Sequence, residues 1–344
     1  MDPRFPPAPA LLVPRGREPI YGNFAGVPAA LGLGNIDYRG LGRPPWSWTR
    51  GVGRRLLKRW QFVGAVDEEL VVGAAVAHVQ YLATAFAYVY DRRTGELIER
   101  SAKVPFAAGA RFSSTPAEGE TRFTLPGVSV RMGNTPHDGV RTLDVHMGSD
   151  LEIHLRYREE GVGMSTSCPH ETGGVHYTYK FPGLPAEGEV VVRGRRRVLE
   201  ADALALLDWT ASTPPRATTW NWACAVGRDK RGRRVAINFS RGLVGGPFSQ
   251  NAVWLDGTPH LLPPVAFGYD PEQIVTAPWH LTTSDRAVDL IFHPTAERSE
   301  DINMGFVASR FHQPFGRFEG FVAAGGEPLD VSLFGVCEEH YAKW

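Results

Sequence analysis

An ionisable residue stands inside an apolar run at Ala205-Leu206-Leu207-Asp208-Trp209-Thr210. After a loop with a Pro-Pro pair, two tryptophans follow at strand spacing in Thr219-Trp220-Asn221-Trp222-Ala223-Cys224. Side chains of an extended chain alternate between faces, so Leu204, Leu206 and Asp208 share one face. Trp220, Trp222 and Cys224 share a face of the next candidate strand, with Asn221, Ala223 and Ala225 opposite. If the two runs are neighbours, a carboxyl group sits at the mouth of an indole-lined surface. A carboxyl surrounded by Trp and Leu loses the solvation that its charged form needs, which suits it to donate a proton. Protonating an alkene or a dienol leaves positive charge on carbon, which indole faces stabilise by roughly 2 kcal/mol or more when desolvated. Reprotonation elsewhere, capture by water or ring closure would define an isomerase, a hydratase or a cyclase. The plainer reading makes Asp208 a turn or capping residue at the start of the loop, and the tryptophans ordinary core.

Other residues could reach the same chemistry. His176, Tyr177 and Tyr179 lie on a candidate strand shortly before Asp208; Tyr177 and Tyr179 share one face and His176 takes the other. Cys168, His170, Glu171 and His176 bring soft and nitrogen ligands close together, but their spacing matches neither His-Glu-x-x-His nor a zinc pair, so no metal is expected. Asn238 stands opposite Val235, Ile237 and Phe239, as a solvent-facing residue or a cavity hydrogen-bonder. Asp144, His146 and His154 read as an exposed polar face, since the chain has no Gly-x-Ser-x-Gly elbow. His280, His293 and His312 read as structural histidines, and Glu338-Glu339-His340 as an acidic patch with no evident task.

These residues need a scaffold, and composition bounds it. The 344 residues allow two domains or one large β domain. Lys+Arg and Asp+Glu balance at 37 each, so no global field favours nucleic acid or an anionic membrane. Cys168, Cys224 and Cys337 form no Cys-x-x-Cys pair, which argues against a disulfide framework and fits a reducing cytosol. The first residues lack the apolar core of a signal peptide, and no apolar run approaches the roughly 18 residues of a membrane helix. A cytoplasmic protein is expected. No Gly-x-Gly-x-x-Gly or Walker sequence is present, which speaks against nucleotide-binding α/β folds, and no cofactor is expected.

Residues 1–57, rich in Pro and Gly, read as an extended arm lying on the body, with aromatic anchors at Tyr21, Phe24, Tyr38, Trp46 and Trp48. The basic cluster 50–59 reads as a solvated helical turn. From Trp60 the pattern becomes β: 60–66, 70–80, 81–90, 121–125, 128–132, 141–146, 151–157, 175–181 and 190–192 are candidate strands. Their 8–12-residue spacing is that of barrels and sandwiches. A second set runs over 220–226, 233–240, 252–256, 279–283, 288–293, 305–311, 316–323 and 331–337. Two all-β domains packed together are expected, spanning 58–198 and 199–344.

The stretches 58–64 and 85–96, Leu206-Leu207-Asp208-Trp209, Pro214, Thr219-Trp220-Asn221-Trp222 and Ile237-Asn238 together resemble the bacterial family known as domain of unknown function 2804. The resemblance spans roughly residues 20–340. That family is similar, more distantly, to the carotenoid 1,2-hydratase group of calycin-like folds. The resemblance implies two lipocalin-like barrels with a greasy cavity near their junction. It also implies that Asp208 is the general acid–base residue on an isoprenoid double bond, and that Trp209 stands where a His is common. Trp220 and Trp222 would line the cavity and Asn238 hydrogen-bond within it. The expected partner is a hydrophobic isoprenoid, polyketide or fatty-acyl small molecule, turned over by an enzyme or only held by a carrier, with oligomeric state open. A scaffold filled by its own side chains is the third reading.

Overall fold

Short runs of β-branched and aromatic residues, punctuated by turn chemistry, become antiparallel strands in the computed structural model, which describes residues 5–36, 57–170, 174–244 and 248–344. In chain order the first strands are β1 (Gly22–Ala25), β2 (Lys58–Val66), β3 (Leu70–His78), β4 (Leu82–Asp91) and β5 (Leu97–Pro105). There follow β6 (Ala110–Arg111), β7 (Glu120–Leu125), β8 (Val128–His137), β9 (Val140–Met147) and β10 (Leu151–Arg158). Next come β11 (Met164–Pro169), β12 (Val175–Val192), β13 (Arg195–Val198) and β14 (Leu204–Ser212). The later strands are β15 (Ala217–Asp229), β16 (Arg234–Arg241), β17 (Ala252–Leu255), β18 (Thr258–Leu261) and β19 (Ala266–Gly268). The last are β20 (Trp279–Thr282), β21 (Val288–Asn303), β22 (Ala308–Ala324) and β23 (Glu327–Lys343). Among the described residues there is no α-helix, only a 3-10 turn at Leu33–Asn35, and no helix is long and apolar enough to cross a membrane.

The chain divides into two compact units, Met1–Pro215 and Arg216–Trp344. In the first, the described residues form a fourteen-stranded curled sheet in the order β5-β4-β3-β2-β14-β12-β10-β9-β8-β7-β6, with β11 and β13 also on β12 and β1 on β11. Its concave side is packed with apolar residues that alternate along each strand, among them Val63, Ala65, Val72, Ala74, Ile153, Leu155, Ala205, Leu207 and Trp209. In the second, nine described strands run β18-β17-β16-β15-β23-β22-β21-β20-β19 around Ala223, Ile237, Phe239, Trp279, Phe292, Phe318 and Leu333.

Three sequence expectations change. The boundary drawn at 198/199 put the run around Asp208 in the second domain, whereas β14 lies between β2 and β12 in the first sheet. All nine of its residues are buried, as suits a strand paired on both edges. Residues 175–181 and 190–192, read as two strands, are one strand of 18 residues that runs through Pro182, Gly183 and Pro185. A register shift between Pro182 and Leu184 absorbs the interruption, with Gly183 at φ 82. In the arm, Phe24 is buried as expected, but the deepest anchors are Leu12, Val13 and Leu31. Tyr38, Trp46, Trp48, Glu171 and positions 50–56 of the basic cluster lie outside the described residues, while Lys58 and Arg59 open β2.

Candidate functional site

β12 and β14 pair so that His176 faces Ser212, Thr178 faces Thr210 and Lys180 faces Asp208. The alternate residues of both strands, Tyr177, Tyr179, Phe181, Leu207, Trp209 and Ala211, belong to the hydrophobic core. Period-2 alternation therefore puts three consecutive polar pairs on the face turned away from that core. All six polar side chains are buried.

The pairs join into two hydrogen-bonded groups. Lys180 Nζ stands 2.5 Å from Asp208 Oδ2. The other carboxylate oxygen accepts from the Thr210 hydroxyl at 3.0 Å and the Thr178 hydroxyl at 3.3 Å, and the two hydroxyls lie 2.7 Å apart. Two residues along, Ser212 Oγ sits between two imidazoles, 3.1 Å from His176 Nδ1 and 2.8 Å from His170 Nε2. Burial pushes the His176 pKa well below the ordinary histidine value, helped by neighbouring His170 and Lys180. Burial alone lowers His170 to about 4. Both rings are thus neutral near pH 7. Trp60, in register with Thr210, sets its ring 6.5 Å from that of His176.

The residues expected to surround Asp208 divide between this face and others. His176 lies on its face. Trp209, Tyr177 and Tyr179 lie on the opposite one: Trp209 donates from Nε1 to Ser113 Oγ at 3.2 Å and meets Tyr177 edge-on at 6.0 Å. Burial raises the pKa of both tyrosines, and Tyr177 keeps a hydroxyl contact of 2.9 Å with Ser165. These three side chains fill the core. Trp220, Trp222 and Asn238 belong to the second unit. The strand that carries both tryptophans, β15, pairs with β16 and β23 and not with β14. Trp222 Nε1 donates to Asn238 Oδ1 at 2.8 Å, Asn238 Nδ2 donates to the Gln250 carbonyl at 2.7 Å, and Trp220 Nε1 donates to Glu338 Oε1 at 2.7 Å. Asn238 is thus a buried hydrogen-bonder and not solvent-facing.

Sequence reasoning overlooked Lys180, Thr178, Thr210 and Ser212. The available signal was the period-2 polar register His176, Thr178, Lys180, set between Tyr177, Tyr179 and Phe181. Depressions on the first unit, lined by Tyr157, Pro185 and Ala186 or by Gly109, Arg111 and Arg122, involve none of the Asp208 group.

The family described as "Domain of unknown function (DUF2804)" matches residues 34–344. Curated protein sequences gave no match. Among solved structures, the chain is similar to a provisionally assigned AttH from Nitrosomonas europaea, with a TM-score of 0.51 and 16% identity over 82% of this chain and 91% of that one. It is also similar to CghA, solved with Sch210972, with a TM-score of 0.50 and 12% identity over 84% of this chain and 89% of that one. Kievitone hydratase from Nectria haematococca aligns with a TM-score of 0.46 and 12% identity over 98% of both chains. At these identities the likeness is one of fold.

Proposed function

The chain belongs to the DUF2804 family, and we propose that it is an enzyme that works on a hydrophobic small molecule by acid–base chemistry, as an isomerase, hydratase or cyclase. The observation that carries this reading is the ladder of three buried polar pairs on the non-core face of β12 and β14. Six polar side chains removed from water lower stability unless their hydrogen bonds are met, and apolar residues would fill such a wall more simply. Here the bonds are met by a Lys–Asp ion pair and by two neutral imidazoles joined through Ser212.

The roles differ from those read in the sequence. With the Lys180 ammonium 2.5 Å away, Asp208 is half of an ion pair and not an isolated carboxylic acid. In this reading Lys180 offers the proton, and Asp208, with Thr178 and Thr210, holds the ammonium in place. His176 and His170, neutral and linked through Ser212, take a proton from another position of the substrate. Substrates of isoprenoid, polyketide or fatty-acyl type suit this chemistry, since protonating a carbon–carbon double bond or a dienol needs an acid and a base but no cofactor. That CghA has been solved with Sch210972 supports a small-molecule role for this fold.

The ion pair also favours a second reading, a carrier whose carboxylate is matched for structural reasons. One experiment separates the two. Protein isolated from its own host, wild type and Lys180→Met/Asp208→Leu, is compared by native mass spectrometry and by lipid analysis of solvent extracts. An apolar molecule altered only by the wild type supports the enzyme. The same molecule held unchanged by both establishes the carrier, and empty protein in both overturns both readings.

A further inference from the structure

The second unit holds a cluster that the proposed chemistry does not use. Ser309 pairs with Ala342 and Phe311 with His340 across β22 and β23, so Ser309 and His340 are diagonal neighbours on one face. Glu338, two residues before His340 on the same strand, shares that face. Ser309 Oγ lies 2.9 Å from His340 Nε2, and the other ring nitrogen, Nδ1, lies 3.8 Å from Glu338 Oε1. Hydroxyl, far nitrogen, near nitrogen, carboxylate is the order of a nucleophilic serine triad, which is recognised by geometry and roles and not by fold.

The parts around it fix that order. Glu338 Oε1 accepts from Trp220 Nε1 at 2.7 Å and Oε2 accepts from Gln313 Nε2 at 3.1 Å, so the carboxylate is anchored at both oxygens. The Trp220 ring packs on the imidazole at 4.1 Å and Phe311 meets it edge-on at 5.1 Å. The Nδ1–Oε1 gap is wider than a hydrogen bond, as catalytic contacts often are before substrate binds. The hairpin tip that leads into β22 exposes two large apolar side chains, Met304 and Phe306, at 62% and 67% of their surface. Lys343 Nζ donates to the Gly305 carbonyl at 2.7 Å, and Arg216 donates to the Phe306 carbonyl, which brings two cations to the same tip. The exposed apolar groups at the tip of the β21–β22 hairpin, whose second strand carries Ser309, suit the docking of an acyl chain.

We propose that Ser309, His340 and Glu338 form a second reactive centre that hydrolyses esters of apolar carboxylic acids. Ser309 Oγ bonds to the ester carbonyl carbon while His340 Nε2 takes its proton. The carbon–oxygen bond to the alcohol breaks, and His340 returns the proton to the leaving oxygen. Water then attacks the acyl-serine, gives a proton to His340, and releases the acid as the proton passes back to Ser309. Ester and water become acid and alcohol, with no other reactant.

The test uses the full chain and an alkyl fluorophosphonate, which forms a phosphorus–oxygen bond to an activated serine and releases fluoride, with p-nitrophenyl butyrate as the turnover substrate. Peptide mass spectrometry of the wild type should place a single label on Ser309. Ser309→Ala should abolish labelling, and His340→Gln should slow both labelling and ester hydrolysis by about 100-fold or more, with unchanged circular dichroism. Folded wild-type protein that takes no label, or takes it at another residue, overturns the proposal. So does His340→Gln protein that labels at the wild-type rate.

Discussion

Lys180 Nζ and Asp208 Oδ2 stand 2.5 Å apart across two central strands, with both side chains at least nine-tenths buried. The pair is fully hydrogen-bonded on the Asp208 side, so removing either partner strands a charge. Asp208→Leu or Lys180→Met alone should each destabilise the protein by about 3–5 kcal/mol in chemical denaturation. The double variant should recover most of that loss, because two apolar residues suit the surroundings. Additive losses in the cycle would mean that the two groups do not interact energetically.

The two buried imidazoles make stability depend on pH. Unfolded histidines take up protons near pH 6.5, while burial holds His170 down to about 4 and His176 well below its ordinary value. The unfolded chain therefore binds more protons below pH 6.5, and stability falls as pH is lowered through that window. The slope is roughly 1.4 kcal/mol per pH unit for each histidine. Denaturation midpoints of wild type and His170→Gln between pH 7 and pH 4 check this; the variant should lose one histidine's share of the slope.

Trp222 and Asn238 form one unit in the second sheet. Asn238→Ala leaves the Trp222 N–H and the Gln250 carbonyl without the bonds it supplies, and should destabilise by about 1–3 kcal/mol for each group left unsatisfied. Trp222→Phe strands the Asn238 oxygen and should add little in the Asn238→Ala background. Urea titrations of the three variants measure the coupling.

Gly73 faces Tyr88 across β3 and β4, and a Cβ at Gly73 would lie 2.4 Å from the Tyr88 ring carbon Cζ. Tyr88 is completely buried, so the ring has little room to retreat. Gly73→Ala should lower stability by about 1–3 kcal/mol, read as a drop in the thermal midpoint. The same substitution in a Tyr88→Leu background should be milder.

The all-β class, most strand positions and the burial of the run around Asp208 were legible in the amino-acid sequence, because they rest on local periodicity and turn chemistry. The sequence also placed Asp208 on one face with Leu204 and Leu206, and His176 opposite Tyr177 and Tyr179, since alternation is a property of any extended chain. Which strands meet emerged only in the folded chain. That Asp208 lies opposite Lys180, 28 positions earlier, follows from the register of β12 against β14, which a bulge between Pro182 and Leu184 resets. That Trp222 bonds Asn238, and that Glu338, His340 and Ser309 line up, follows in the same way from pairings of β15, β16, β22 and β23. Registers are set by how whole sheets bury their apolar faces together, so no local stretch of sequence contains them.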